Sequence, residues 1–364
     1  MSHEDLQTVG REFALGGAFQ SAERYGSGHI NDTYKVVYET EEGPVSYLHQ
    51  RINQEIFPQP HLVMENIDRV TAHLQASFVA KGVPDLDRRC LRVIPTGEGE
   101  NLYLAPDGAA WRTYHFVAGG ATYDVVASPA MAEEAARAFG QFQAMLLDLP
   151  GPRLHETIPD FHHTPSRLAQ FEAVVGEDPM GRKEGCEEAV SWAMDNREFA
   201  EKLWGPWEAG AIPERVTHND TKLNNVLLDE VTGEALCVID LETVMPGLSL
   251  YDFGDLVRTA SHRCAEDEQD PSGVKVDPEL FAGLARGYLD AAGSFLNETE
   301  RGLLLESGIV ITYETGLRFL GDHLSGDQYF RIHREGQNLD RARTQFALVE
   351  SLSGQAETLI GDTQ

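Results

Sequence analysis

The chain has 364 residues, 41% of them hydrophobic, and a formal net charge of -30 from 59 acidic and 29 basic residues. That length supports a large core split into two lobes, and the charge repels polyanions over most of the surface, which excludes nucleic acid as an expected partner. Met1 to Phe19 carry Glu4, Asp5, Arg11 and Glu12 where a signal peptide needs an apolar run, and no segment reaches membrane-spanning length, the nearest being Leu303 to Thr312. The expectation is a soluble cytoplasmic protein with no membrane partner, a monomer or weak dimer. The acidity could favour a cationic substrate or simply maintain solubility. Cys90, Cys186, Cys237 and Cys264 are widely spaced and form neither a zinc pattern nor a disulfide framework.

In chain order, Thr33 to Tyr38, a turn at Glu41 to Pro44 and Val45 to Leu48 predict a β-hairpin. Helical periodicity follows from Leu62 through Ile67, Val70 and Leu74, then strands around Leu91 to Ile94, Leu102 to Leu104 and Trp111 to Val117. Past Ala118-Gly119-Gly120 the helical signals dominate. Ser128-Pro129 opens a helix bearing Ala132, Ala135, Phe139, Phe142 and Leu146 on one face. Leu303 to Leu324 is apolar nearly all round and so belongs inside its lobe, and Leu339, Phe346, Val349 and Leu352 mark a last amphipathic helix. The predicted domains are therefore 1–117, a β-rich lobe, and 118–364, a helical one.

The chemistry concentrates in Thr217-His218-Asn219-Asp220-Thr221-Lys222-Leu223-Asn224-Asn225, followed by the apolar strand Val226 to Leu228 and a second strand, Ala235 to Ile239, that ends in Asp240. Phosphoryl transfer to a hydroxyl requires a carboxylate beside that hydroxyl and oxygen ligands for magnesium on the phosphates. Asp220 is placed as the base, Asn225 and Asp240 as the metal ligands, and Lys222 beside the transferring phosphoryl group. The H-x-D-x-x-x-x-N pattern with its strand-terminal Asp matches the catalytic and metal-binding loops of kinase-like enzymes. It predicts an α+β, protein-kinase-like two-lobed fold using ATP and Mg2+. Singly, each element has a plainer reading: a strand-end Asp can be a turn residue, and His218 can brace the loop. Downstream, Tyr251-Asp252-Phe253-Gly254-Asp255 contains the literal D-F-G string of protein kinases, but Asp252 does not close an apolar strand. It is expected at a helix start, holding the catalytic loop by accepting backbone hydrogen bonds.

In the β-rich lobe, Gly26-Ser27-Gly28-His29-Ile30-Asn31-Asp32-Thr33 is a Gly-rich turn entering a strand, suited to covering nucleotide phosphates with Gly26, Ser27, Gly28 and Thr33. His115, Phe116 and Val117, at the end of the last strand, are the candidate hinge for adenine. One expected group is missing. The strand Tyr47 to Arg51 has Gln50 where a phosphate-binding lysine should stand; as a nucleotide-binding candidate Gln50 can still donate hydrogen bonds but contributes no charge, and Arg51 points to the opposite face.

These residues resemble the aminoglycoside phosphotransferase-like family, and within it the bacterial N-acetylhexosamine 1-kinases. The resemblance runs over nearly the whole chain. It is carried by Gly28 to Asn31, Asp160-Phe161-His162, Thr164-Pro165, Thr217 to Asn225, Ile239-Asp240-Leu241, Met245-Pro246-Gly247, Asp252 to Asp255, Arg318-Phe319-Leu320, Gly326-Asp327, Tyr329-Phe330 and Asn338-Leu339. Absence of the small-lobe lysine is itself a trait of that subgroup. The resemblance implies ATP-dependent phosphorylation of the anomeric hydroxyl of a small sugar, N-acetylglucosamine or N-acetylgalactosamine, with a pocket built from His29, Asn31, Arg318, Asp327 and Tyr329.

Alternatives stand beside several of these. Arg318 could pair with Glu314 at i, i+4, and Tyr329 and Phe330 could be core aromatics. The His162-His163 pair with His155 lacks a third metal ligand at a convincing spacing. The same scaffold could serve another small alcohol, such as an aminoglycoside, choline or another sugar, or be a nucleotide-binding scaffold without activity.

Overall fold

The computed structural model describes residues 2–26 and 30–363. Its contacts divide the chain into two compact units: Met1–Gly120 with Asp148–Pro159 and Leu236–Met245, and Ala121–Leu147 with Asp160–Ala235 and Pro246–Gln364.

The first unit contains helices α1 (His3–Gly10), α2 (Pro60–Ala80) and α3 (Leu86–Arg89) and strands β1 (Ala18–Arg24), β2 (Asp32–Thr40), β3 (Gly43–Arg51), β4 (Val93–Ile94), β5 (Tyr103–Leu104) and β6 (Ala110–His115). These strands form one antiparallel sheet ordered β1-β2-β3-β6-β4, with β5 also pairing β6. The β2–β3 hairpin closes at Thr40 and Gly43, and Gly43 has φ 116°, a left-handed conformation that glycine adopts without strain. Strand alternation buries Tyr34, Val36 and Tyr38 of β2 with Tyr47 of β3, and they join Leu6, Val9, Phe13 and Trp111 in one core. Each such side chain contributes about 1.5–3 kcal/mol on burial.

The sequence reading placed no element ahead of the hairpin. β1 hides because it is an edge strand in which Ala22 alone is fully buried. α1 is short and buries only Leu6, Val9 and Gly10, yet it carries a legible start: Ser2 Oγ accepts from the Asp5 N–H at 3.2 Å, and Asp5 accepts from the Ser2 N–H at 2.9 Å.

The second unit is helical, with α4 (Pro129–Met145), α5 (Thr164–Glu177), α6 (Glu187–Asp195), α7 (Glu201–Glu208), α8 (Ser249–Ala260), α9 (Pro278–Ala292), α10 (Glu298–Gly302), α11 (Leu304–Ser325) and α12 (Gln337–Gly354). Ser128 caps α4 as its sequence suggests, its Oγ accepting from the Met131 N–H at 3.3 Å. α4 packs on α9, and α11 packs against both α8 and α12. α11 is buried on nearly every face, as its apolar sequence requires. α9 was not foreseen, although Asp277-Pro278 announces it, the Asp277 carboxylate accepting from the Glu279 N–H at 3.0 Å. Among the described residues no helix is long and apolar enough to cross a membrane.

Candidate active site

The candidate catalytic loop leaves the strand Arg215–Thr217 and turns sharply at Asn219, whose φ is 66°. A non-glycine residue holds that conformation only if its surroundings fix it. Three contacts do so. The Thr217 hydroxyl donates to Asn219 Oδ1 at 2.9 Å, and Asp252 accepts from the His218 N–H at 3.0 Å and from the Asn219 N–H at 2.7 Å. Gly247 leaves the space: a Cβ there would lie 2.3 Å from Thr217 Oγ1 and 2.8 Å from Asn219 Oδ1. Asp252 also accepts from the Gln143 amide, and its carbonyl accepts from the Thr221 hydroxyl at 2.6 Å. It stands in the first turn of α8 and accepts the backbone hydrogen bonds of the loop, as its sequence context suggested.

Asp220 follows this pinned turn. Its Oδ1 lies 3.0 Å from Lys222 Nζ, and its Oδ2 and carbonyl accept from Asn225 Nδ2 at 3.0 and 2.8 Å. Burial works against the ionised form, but the Lys222 ammonium and His218 outweigh it and hold Asp220 below the usual carboxylate range. Lys222 is likewise opposed by burial, yet Asp220 and Asp255 push it up to about 12. The pair is therefore ionised at neutral pH. His218 is buried against Phe139 and Phe142 and accepts from the Asp220 N–H through Nδ1 at 3.3 Å, which makes it a brace.

A second histidine, unassigned in sequence terms, supports the same loop. His162 Nε2 lies 2.8 Å from the Asn219 carbonyl, and its Nδ1 lies 2.8 Å from Glu314. Both partners are acceptors, so the ring donates twice. Although burial disfavours its charge, Glu314 raises its pKa above the ordinary value. His163 caps α5, its Nδ1 accepting from the Ser166 N–H at 3.0 Å. Neither histidine belongs to a metal cluster, and no group of three or more His, Cys, Asp or Glu able to hold a metal exists among the described residues.

Glu314 does not pair with Arg318; its oxygens serve His162 and, at 2.6 Å, the Thr164 hydroxyl. The Arg318 guanidinium instead lies over three rings, 5.1 Å from the centroid of Phe161, 5.7 Å from Tyr329 and 5.5 Å from Phe330. Phe161 adjoins His162, so this cation is anchored to the peptide that supports the loop before Asp220. Tyr329 is 49% exposed and is no core residue. Asp327 is different: it has φ 57°, and its carboxylate, 5% exposed, is engaged by Arg182 and by Asn338 Nδ2 at 3.0 Å. The sequence reading missed Asp322, which accepts from the N–H groups of Gln328, Tyr329 and Phe330, each at 2.9 Å, and so shapes the turn carrying Tyr329. An Asp in the last turn of an apolar helix, just ahead of Gly326, was the available signal.

In the first unit, Gln50 Nε2 donates to Thr33 Oγ1 at 2.9 Å, while its Oε1 accepts from Arg112 Nε at 2.9 Å. Arg112 also bonds Glu242, which accepts from the Asn31 amide; Asn31 Oδ1 in turn accepts from the Asn53 N–H at 2.9 Å. Of the three candidate hinge residues, His115 and Phe116 spend their N–H groups on the Arg92 carbonyl at 3.0 Å and the Ser46 carbonyl at 3.1 Å, while among the described residues the Val117 N–H makes no such bond. Gly26 has φ 77°, and Ser27, Gly28 and His29 lie outside the described residues.

Asp240 follows the strand Ala235–Val238 with φ 62° and leads the turn Leu241–Thr243. Magnesium bound at substrate phosphates takes few protein oxygens. Asn225 fits that pattern, since its amide nitrogen is spent on Asp220 and, among the described residues, its Oδ1 accepts no hydrogen bond.

An antiparallel sheet in one unit and helices in the other make this an α+β protein of kinase-like fold. Its backbone is similar to choline kinase from Cryptosporidium parvum, at 14% identity over 99% of this chain and 98% of that one, with a TM-score of 0.63. It is also similar to an aminoglycoside phosphotransferase from Alicyclobacillus acidocaldarius, at 14% identity over 97% and 96% with a TM-score of 0.59. A spectinomycin phosphotransferase solved with ADP and spectinomycin matches at 13% identity over 97% and 99%, TM-score 0.56. Residues 21–301 match the phosphotransferase enzyme family, and the chain belongs to that family.

Proposed function

We propose that this phosphotransferase moves the γ-phosphoryl group of ATP onto the anomeric hydroxyl of an N-acetylhexosamine, giving the sugar 1-phosphate and ADP. The observation that carries the reaction type is the Asp220 carboxylate held between Lys222 and Asn225 on a loop pinned by Asp252. Asp220, kept ionised, accepts a hydrogen bond from the acceptor hydroxyl, orients its lone pair and takes its proton as the O–P bond forms. Lys222 offsets charge on the transferring group. Asn225 and Asp240, assigned by sequence pattern, would hold the magnesium ion, which supplies charge neutralisation on the phosphates. ADP in the related spectinomycin enzyme supports an adenine nucleotide as donor.

The sugar reading rests on the resemblance described above and on charge. The related enzymes named for choline and aminoglycosides take cationic acceptors, whereas Arg318 offers a guanidinium with no hydrogen bond or ion pair among the described residues. Such a group repels an ammonium and suits a hydroxyl or acetamide oxygen. An ADP-release assay over N-acetylglucosamine, N-acetylgalactosamine, plain hexoses, choline, ethanolamine and aminoglycosides tests this. Turnover with the N-acetylhexosamines, lost by orders of magnitude in Asp220→Asn while nucleotide binding persists, is expected. Turnover with the amines alone would refute the substrate, and an unchanged rate in Asp220→Asn would refute the base.

A further inference from the structure

The phosphate-binding lysine expected on β3 is absent, and Gln50, which stands in its place, brings no charge. Its side chain is also tied down, one amide N–H donating to Thr33 Oγ1 and its oxygen accepting from Arg112 Nε. The cation lies one strand away: Arg112 on β6 is the direct cross-strand partner of Gln50. It is 1% exposed, so it does not itself touch a ligand. Its Nε holds Gln50, its second amino group holds Glu242, and its plane lies 5.1 Å from the Tyr114 ring.

One donor of this pair is unused: Arg112 Nη1 is buried without a hydrogen-bond partner among the described residues, while the Glu242 carboxylate also interacts with that of Asp240. A buried ion pair with a donor left over is a poor way to stabilise a fold, and an apolar pair of equal volume would serve at least as well. What it provides is direction. Through Gln50, Arg112 fixes Thr33; through Glu242 it fixes Asn31 and, by Asn31 Oδ1, the backbone at Asn53. Asn31 and Thr33 follow the Gly-rich segment directly in the sequence. Glu242 stands two residues after Asp240, in the turn that Asp240 opens, and the charge of Asp240 acts on Arg112 as well.

We propose that Arg112 is a positioning residue for the magnesium nucleotide: with Glu242 it locks Asn31, Thr33 and the Asp240 turn in one arrangement, supplying from the neighbouring strand the positive charge that β3 lacks. The proposal rests on the phosphotransferase reading but not on the identity of the sugar. It separates two functions that a merely structural pair would not separate. Nucleotide contacts independent of the metal should suffer less from loss of Arg112 than the gain in affinity from magnesium does.

The test is ADP binding by calorimetry with and without magnesium, on wild type, Arg112→Met, Glu242→Met, the double variant and Arg112→Lys, each with its melting temperature. The single Met variants leave one buried charge unpaired and can fail to fold. The double variant removes both charges together, and Arg112→Lys keeps a charge but cannot reach Gln50 and Glu242 at once. Folded double variant or Arg112→Lys should lose about 10–100-fold of the magnesium-dependent affinity, the usual effect of removing a partner that orients a metal ligand, and a clearly smaller factor of the affinity for metal-free ADP. Full retention of the magnesium effect in either variant would overturn the proposal. So would equal weakening with and without metal. If the wild type bound no nucleotide, the phosphotransferase mechanism itself would fall and this inference with it.

Discussion

The most informative single substitution is Asp252→Asn, because it changes one atom beneath the catalytic loop and leaves Asp220, Lys222 and Asn225 intact. The buried carboxylate accepts at both oxygens: Oδ1 from the Asn219 N–H at 2.7 Å, Oδ2 from the His218 N–H at 3.0 Å and from the Gln143 amide. Asparagine has one acceptor oxygen. Whichever way it turns, its NH2 faces at least one backbone N–H, which is left orphaned inside the protein at a cost of about 1–3 kcal/mol. The remaining bonds lose their charge assistance, which adds about 1–2 kcal/mol. Against this, burial of the carboxylate raises its pKa, so its ionised form carries a desolvation cost that asparagine removes. The net expectation is a loss of about 2–4 kcal/mol in urea unfolding, with the slope of the unfolding curve unchanged. Asn219 sits at φ 66° with Asp220 directly after it, so relaxation of that turn moves the base. A shift near 1 Å lowers kcat by about 100-fold. Stability and kcat measured on one preparation decide the matter. Unfolding within about 0.5 kcal/mol of wild type together with unchanged kcat would refute the idea that Asp252 holds the loop.

Further consequences follow from particular contacts. Gly254→Ala places a Cβ 2.5 Å from the Ser307 carbonyl and 2.7 Å from Ile311, so α8 and α11 must part; a loss of about 1–3 kcal/mol in thermal unfolding is expected, and an unchanged melting temperature would show the crossing to be loose. His49 is fully buried, bonded through Nδ1 to the Thr113 hydroxyl at 2.7 Å, and burial pushes its pKa from 6.5 down to about 4. Its folded value is the lower one, so the unfolded chain takes up a proton that the native state refuses. Stability from this group is therefore complete above pH 6.5 and falls as pH drops towards 4, by about 3 kcal/mol. His49→Gln should flatten the stability curve over that window, and an identical acid slope would contradict the assignment. Arg318→Ala should spare the fold, since contacts with aromatic faces at part-exposed sites contribute only about 0.5–1 kcal/mol. It should raise the KM for the acceptor about 10–100-fold through the lost charged hydrogen bond, leaving the KM for ATP unchanged; an effect on ATP alone would remove Arg318 from the acceptor region.

Legibility of this chain in sequence followed the range of the forces involved. The β2–β3 hairpin, α4 and α11 were readable because alternation, capping and helical periodicity are local. The catalytic loop was readable for a related reason: Asp220, Lys222 and Asn225 meet within one turn of backbone, so their spacing is their geometry. Asp252 was placed under the loop by exclusion, since no apolar strand precedes it. What escaped were partners chosen by tertiary packing. Nothing near Arg318 in the sequence says that its i, i+4 neighbour Glu314 is already committed to His162 and Thr164, which lie some 150 residues away in the chain. Nothing local to Gln50 announces that a positive charge, Arg112, stands across the β3–β6 ladder and is balanced by Glu242, 130 residues further on. A lysine and an arginine differ in what they can do there. A flexible ammonium reaches a phosphate directly, but a planar fork with five donors can hold three neighbours in fixed directions at once. On the role proposed for Arg112, the exchange moves the positive charge from the ligand to the scaffold beside it, and an enzyme so arranged should tolerate neutral substitution at Gln50 far better than at Arg112.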